Sequence, residues 1–349
     1  MSEGSAELDH GRDRVGHRLL PLDGLRGLAA LAVVIFHFLY NGPRVFPELG
    51  DRVDWTLPGE QGVRVFFVIS GIVIMMSLRG SSPLRFARSR FTRLFPSYWI
   101  AILFTGTAVA VFGLPGQAVS ARDFILNFTM IHTALGIKDV DPVYWTLAVE
   151  LVFYVISAAL WFLGALTPKR LPVVLYAWLV ASAVLAFISD QLALQGPGGV
   201  FENMPWFLIG IVALRIVEGD RRASIIAFVP IALLSGIYFD WAAVLGAAAG
   251  FAIVLITLMW HPLGLDSAPL RALGWASYPL YLLHQNLGYI SLLHLQDIGT
   301  PRWMAVSLTI AGALLLAFAF TKWVDVPLRR KVGQWLRPQN RPTTTVVAS

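Results

Sequence analysis

Two titratable side chains share one apolar stretch near the start of this chain, in the run Leu22-Asp23-Gly24-Leu25-Arg26-Gly27 that continues to Phe36-His37-Phe38. Arg26 and His37 are eleven residues apart, close to three whole helical turns, so a helix places them on one face, about 16 Å apart along its axis. Such a stripe offers a fixed cation at one end, with Asp23 beside it, and a base further along. An ionisable group in hydrocarbon costs several kcal/mol and so marks a functional or paired position. The alternatives for the two residues singly are an arginine that snorkels to headgroups and a histidine that hydrogen-bonds a neighbouring helix.

Four further segments carry chemistry. Tyr144-Trp145-Thr146-Leu147-Ala148-Val149-Glu150 sets a carboxylate inside an apolar run. At the depth of His37 that carboxylate is expected to orient or charge-stabilise the imidazole, the service an aspartate gives a catalytic histidine; the alternative is a structural pair with an Arg or Tyr. Arg90 and Arg93 lie one turn apart, preceded by Arg85 and Arg88. Two guanidiniums at a membrane mouth suit phosphate, which each can bind bidentately, although a basic cluster there also serves topology alone. In Ser277-Tyr278-Pro279-Leu280-Tyr281-Leu282-Leu283-His284, His284 falls in mid-span as a second acid/base or a structural donor. Ser70, followed by Gly71, reads as a packing seam, with a serine nucleophile as the rival reading.

The elements that must position these residues are membrane helices. Of 349 residues 56% are hydrophobic and 14% charged, and mean hydropathy is +0.67. That is too little charge to cover a soluble domain. Apolar runs of about 18 to 25 residues match the hydrocarbon thickness, and strand-like alternation is absent, which argues against a β-barrel. The fold class expected is an all-α polytopic membrane protein of about ten helices, near 20–40, 62–79, 95–113, 143–165, 171–190, 203–219, 223–239, 241–260, 275–295 and 303–324. With the N-terminus inside, roughly twenty Lys and Arg fall on the inner side against about six outside, so N-in and C-in is expected. The net charge of +6 thus reads as a topology signal, with no nucleic-acid partner expected. Cysteine is absent, which excludes disulfides and thiolate chemistry, and no metal site is expected.

Residues 1–18 read as an inner N-terminal segment, 19–326 as the transmembrane domain and 327–349 as an inner tail without order. The first apolar run is too long for a signal-peptide core and is expected to be retained. Segment 114–142, with the apolar stretch at 124–130, is expected to hold a re-entrant or interfacial helix.

Taken together and in order, these motifs resemble the integral-membrane acyltransferase family 3 over about residues 20 to 330. Its Arg-x10-His pattern matches Arg26 and His37, its Phe-Phe-x-x-Ser-Gly element matches Phe66, Phe67, Ser70 and Gly71, and its Arg-x-x-Arg element matches Arg90 and Arg93. Its Trp-Ser/Thr-Leu-x-x-Glu element matches Trp145 to Glu150, and its late Ser-Tyr-x-x-Tyr-Leu-x-His element matches Ser277 to His284. The resemblance implies a multi-pass enzyme of the bacterial inner membrane. Its activity would be transfer of an acyl group, commonly acetyl, from cytoplasmic acyl-CoA to a hydroxyl of a carbohydrate, lipid-linked sugar or small molecule. Acyl-CoA is then a co-substrate, and no permanently bound cofactor is expected. Many relatives carry an additional hydrolase-like domain, and the chain is expected to act as a stand-alone member. The expected scheme docks the donor phosphates at Arg26, Arg90 and Arg93 and carries the thioester to His37, acting with Glu150 as base or acyl carrier. Intramembrane His, Glu and Arg also furnish proton relays, so a proton-coupled transporter or flippase is the alternative, without the matching broken helices or inverted repeat such proteins show.

Overall fold

The computed structural model describes residues 21–192, 197–220, 222, 229, 241–260 and 264–336, and among them the chain is helical, with no strand. The helices are α1 (Pro21–Val45), α2 (Gly62–Leu78), α3 (Pro83–Phe112), α4 (Ala121–Asn127), α5 (Trp145–Phe162), α6 (Leu171–Gln191) and α7 (Met204–Val217). They are followed by α8 (Trp241–Trp260), α9 (Ala268–Leu283), α10 (Gln285–Asp297), α11 (Arg302–Phe320) and α12 (Val326–Trp335). Seven stretches among the described residues are long and apolar enough to cross a membrane. Apart from Val229, the expected span 223–239 lies outside the described residues, as do residues 1–18 and the tail beyond 336.

Local sequence sets the ends of these helices. Ser82 caps α3 by accepting from the Arg85 amide at 3.3 Å, and Pro83 occupies the first turn, where its missing N–H costs nothing. Segment 114–142 holds α4, a helix of 7 residues capped by Ser120 that ends within the apolar stretch at 124–130. Asn127 pins that segment: its side chain donates to the carbonyls of Asp123 and Lys138 and accepts from the Val140 amide.

Three features depart from uninterrupted spans. The expected crossing 275–295 is broken at His284 into α9 and α10. A π-helical turn covers His37–Asn41 within α1, and a second covers Thr321–Asp325 between α11 and α12. π-turns are costly inserts that recur at functional sites. The assignment of 327–349 to a tail without order is corrected for its first nine residues, because Val326–Trp335 is an amphipathic helix. Its polar face holds the mean hydropathy down and hides it from a transmembrane reading. It is anchored through Asp325, buried at 0% exposure, which accepts from Ser97 of α3 and from Arg329.

Close backbone approach fixes the core. The α2–α7 crossing has Gly71 against Gly210: a Cβ added at Gly71 would lie 2.1 Å from the Phe207 carbonyl oxygen, and one at Gly210 would lie 2.1 Å from that of Val68. Small residues allow such crossings where no hydrophobic effect drives helices together. Phe207 then stacks between Phe67 and Phe153, with centroid separations of 4.6 and 4.2 Å. This seam holds one wall of the site.

Candidate active site

Between α1, α2, α5 and α9 lies a small cavity of about 50 Å³, lined by Arg26, Phe66, Phe67, Ser70, Thr146, Glu150, Ser277, Tyr278 and Tyr281, among others. Each helix contributes from a motif seen in the sequence. On α2, Gly71 makes the backbone contact with α7, which turns the preceding Ser70 toward the cavity. The Ser70 hydroxyl donates to Glu150 Oε1 at 2.9 Å, and the Tyr154 hydroxyl donates to the same oxygen. Tyr154 stands one turn after Glu150 on α5, the i,i+4 spacing that joins side chains on a helix face. Thr146 Oγ1 meets the Tyr281 hydroxyl at 3.0 Å, tying α5 to α9 across the cavity.

The cationic groups divide. Arg26 lines the cavity with 19% of its side chain exposed, 4.0 Å from Asp23, which is more than half exposed. Its other charged neighbours are Arg93 and Glu150. Arg93 makes no hydrogen bond or ion pair among the described residues, and Arg329, on α12, is a further electrostatic neighbour of Arg93. Arg90 turns elsewhere: its guanidinium lies over the rings of Phe86 and Tyr154, 5.7 and 5.8 Å from their centroids, in an apolar groove between α3 and α5. The structure therefore brings Arg26, Ser70 and Glu150 together in the cavity, with Arg93 acting on Arg26, and sets Arg90 on the groove beyond Tyr154.

His37 opens the π-turn of α1 and is half-buried. Its Nδ1 lies 2.9 Å from the Val33 carbonyl and 3.1 Å from Nε2 of His284, which is 1% exposed. The partner expected for His37 was Glu150. The described residues show no hydrogen bond between these two, and His284 occupies that place. Tyr281 links the regions, lining the cavity with its ring centroid 5.7 Å from that of His284. Tyr144 and Trp145 have packing partners: the Tyr144 hydroxyl meets Thr105 at 3.4 Å, and the Trp145 ring stands edge-on to Phe67 at 6.2 Å.

The helix break at His284 is held by a buried residue of the segment that precedes α5. Asp141, just before α5, accepts from the amides of Val143 at 3.2 Å and Asn286 at 3.1 Å, and the Asn286 side chain donates to the Val140 carbonyl. Asp141 thereby caps the start of α10 immediately beyond His284. Burial pushes its carboxyl up to about 7, against the two amide donors, which favour the charged form. Reading the sequence missed Tyr154, Asp141 and Arg329. The signal for Tyr154 was its i,i+4 spacing from Glu150.

A family model described as an acyltransferase domain matches residues 20–322. Among curated relatives, YrhL of Bacillus subtilis, named as a candidate peptidoglycan O-acetyltransferase, is 27% identical over 90% of this chain and 55% of its own length. The acyltransferase MdmB of Streptomyces mycarofaciens is 28% identical over 86% of each chain. The peptidoglycan O-acetyltransferase OatA of Listeria monocytogenes is 25% identical over 91% of this chain and 57% of its own length. The chain thus spans little more than half the length of YrhL and OatA. No solved structure matches. With the family model covering both the Arg26–His37 helix and the helices that carry Ser70, Glu150 and His284, the chain belongs to the integral-membrane acyltransferase family 3.

Proposed function

We propose that this protein is an O-acyltransferase of the bacterial inner membrane. In this reading it crosses ten times with both ends inside and moves an acetyl group from cytoplasmic acyl-CoA to a hydroxyl of a carbohydrate or glycolipid. One observation carries the reading: a cavity in which Arg26, Ser70 and Glu150 converge, linked through Tyr281 and His284 to a half-buried His37. The relatives named as O-acetyltransferases support the reaction class. Family membership favours it over a proton-coupled transporter or flippase.

Acyl-CoA phosphates meet Arg26 and the unpaired Arg93, with Arg329 and Arg90 adding positive potential around them. The pantetheine arm, on the order of 15 Å when extended, spans the length of the Arg26–His37 stripe. At its end the acceptor hydroxyl gives its proton to a ring nitrogen of His37 as its oxygen bonds the thioester carbonyl carbon. Collapse of the tetrahedral intermediate breaks the C–S bond, and the thiolate takes the proton back from His37, leaving free thiol and ester. The same ring lone pair serves if His37 carries the acyl group transiently. Glu150, held by Ser70 and Tyr154, offsets the charge of Arg26 and keeps the cavity polar.

The test is acyl transfer by purified wild-type and His37→Ala protein, together with mass analysis of cell glycans and lipids with and without the gene. One acyl increment lost with the gene, and with His37→Ala, is expected. Near-normal transfer by a correctly inserted His37→Ala protein would falsify the scheme.

A further inference from the structure

We infer that His284 is the positioning residue of this site: it accepts the Nδ1 proton of His37 and so aims the bare Nε2 lone pair of His37 at the reaction. The inference rests on the reading that His37 makes and breaks bonds to hydrogen or to the acyl group.

The proton positions follow from which atoms can only accept. His284 Nδ1 lies 2.9 Å from the Tyr281 carbonyl and 3.2 Å from that of Leu280. Carbonyl oxygens have no proton to give, so Nδ1 of His284 carries the hydrogen, and Nε2 of the neutral ring is a bare acceptor. That acceptor is 3.1 Å from His37 Nδ1. The Val33 carbonyl, 2.9 Å from the same nitrogen, makes the same demand. Both neighbours place the hydrogen of His37 on Nδ1, leaving Nε2 unprotonated. A neutral imidazole in that tautomer presents a base or nucleophile at Nε2, and a proton or acyl group gained there strengthens the Nδ1–H···Nε2 bond to His284.

Burial assigns the roles. His284 is 1% exposed and enclosed, so it cannot meet a substrate, whereas His37 is half-buried. The rings of the two histidines stand edge-on at 4.9 Å, and those of Phe36 and Phe38 flank the pair. The backbone of His284 is held in turn: its carbonyl accepts from the Gly288 amide at 2.8 Å, and Asp141 clasps Asn286 two residues along. Asp141, the helix break, His284 and His37 thus form one chain of supports running from the outer segment to the reacting nitrogen. Val33 alone fixes the tautomer but leaves the ring free to tilt; the second acceptor, arriving from another helix, removes that freedom.

Two readouts test this. The first is kinetic, comparing His284→Leu, which has no acceptor, with His284→Gln, which restores an acceptor oxygen near the same place. Supporting groups of this kind are worth roughly 10–100-fold in activity. His284→Leu should lose that much in kcat with KM for acyl-CoA unchanged, and His284→Gln should recover most of it. Equal losses in the two variants, or none in His284→Leu, overturn the inference. The second needs no turnover: ¹⁵N NMR of histidine-labelled wild-type protein, with His37 assigned by its loss in His37→Ala. Protonated Nδ1 and bare Nε2 on His37 are expected, and the opposite tautomer overturns the inference even where the variants fail to fold. The expected tautomer in a protein that transfers no acyl group would sink the acyl-transfer reading and leave the histidine pairing standing.

Discussion

Substituting Gly71 by Ala probes the seam that aims Ser70, and the structure sets its size. A Cβ at residue 71 would lie 2.1 Å from the Phe207 carbonyl oxygen, 3.0 Å from the Phe207 carbonyl carbon and 3.2 Å from Gly210 Cα. All three contacts are backbone, so no side chain can swing away, and relief requires α2 and α7 to part by about 1 Å. Parting opens the stack in which Phe207 is held between Phe67 and Phe153. Overpacking of this kind costs about 1–3 kcal/mol. It also moves Ser70 relative to α5, where its 2.9 Å bond to Glu150 cannot survive a displacement of that size. The control is Gly312→Ala on α11, where an added Cβ meets nothing within 4 Å. Thermal unfolding in detergent, scored on purified protein, should show Gly71→Ala clearly below wild type and Gly312→Ala level with it. A Gly71→Ala protein as stable as the control would refute the claim that backbone contact at this crossing limits the helix spacing.

Two other outcomes are expected. Arg93→Ala should weaken coenzyme A binding by roughly tenfold or more, because a lost charge-assisted bond to phosphate is worth about 1.5–3 kcal/mol. Arg90→Ala should cost less, since that guanidinium lies over Phe86 and Tyr154 in the groove; titration calorimetry that ranks the two the other way round would reverse the assignment. Asp141 should make stability depend on pH: burial pushes its carboxyl up to about 7 in the fold, well above the ordinary carboxylate range of the unfolded chain. Below about pH 4 both states hold the proton and the stability is fully present. As pH rises toward 7 the unfolded chain releases the proton first, and stability is lost. The melting temperature of wild type relative to Asp141→Asn should fall between about pH 4 and pH 7, and a constant difference over that range would contradict the burial argument.

The sequence made visible whatever depends on spacing within one helix. Arg26 and His37 at three turns, and Glu150 after Trp145, sit on the helices where periodicity put them, and Gly71 is the packing residue that the Ser70-Gly71 pair advertised. Relations between helices were hidden. The polar triplet His284-Gln285-Asn286 interrupts the ninth apolar run, but the leucines on either side allow it to be taken as one span, and the triplet alone does not show that the backbone breaks there. Arg90 and Arg93 share a turn, yet the angular offset of three residues suffices to send one onto a groove and leave the other acting on Arg26. The last helix escaped because Arg329, Arg330 and Lys331 lower its mean hydropathy, although the same residues give it a strongly one-sided polar face. The π-turn at His37 leaves no compositional trace, since it depends on how α1 packs against α10.

Electrostatics gives a reason for the way the site is divided. A carboxylate set against the imidazole of His37 would create a buried ion pair whenever that ring took up a proton, and desolvating two charges costs several kcal/mol each unless both are fully hydrogen-bonded. The structure avoids this by grouping like with like. Arg26 and Glu150 lie in one cavity, where the Ser70 and Tyr154 hydroxyls complete the carboxylate's bonds. Away from them, two uncharged rings hand a single hydrogen-bond polarity from the Leu280 and Tyr281 carbonyls through His284 to His37. A neutral acceptor stabilises a protonated or acylated His37 less than a carboxylate would, so the ring releases what it takes up more readily. That property suits a group that must return its proton to a departing thiolate, or its acyl group to a hydroxyl, in every turnover.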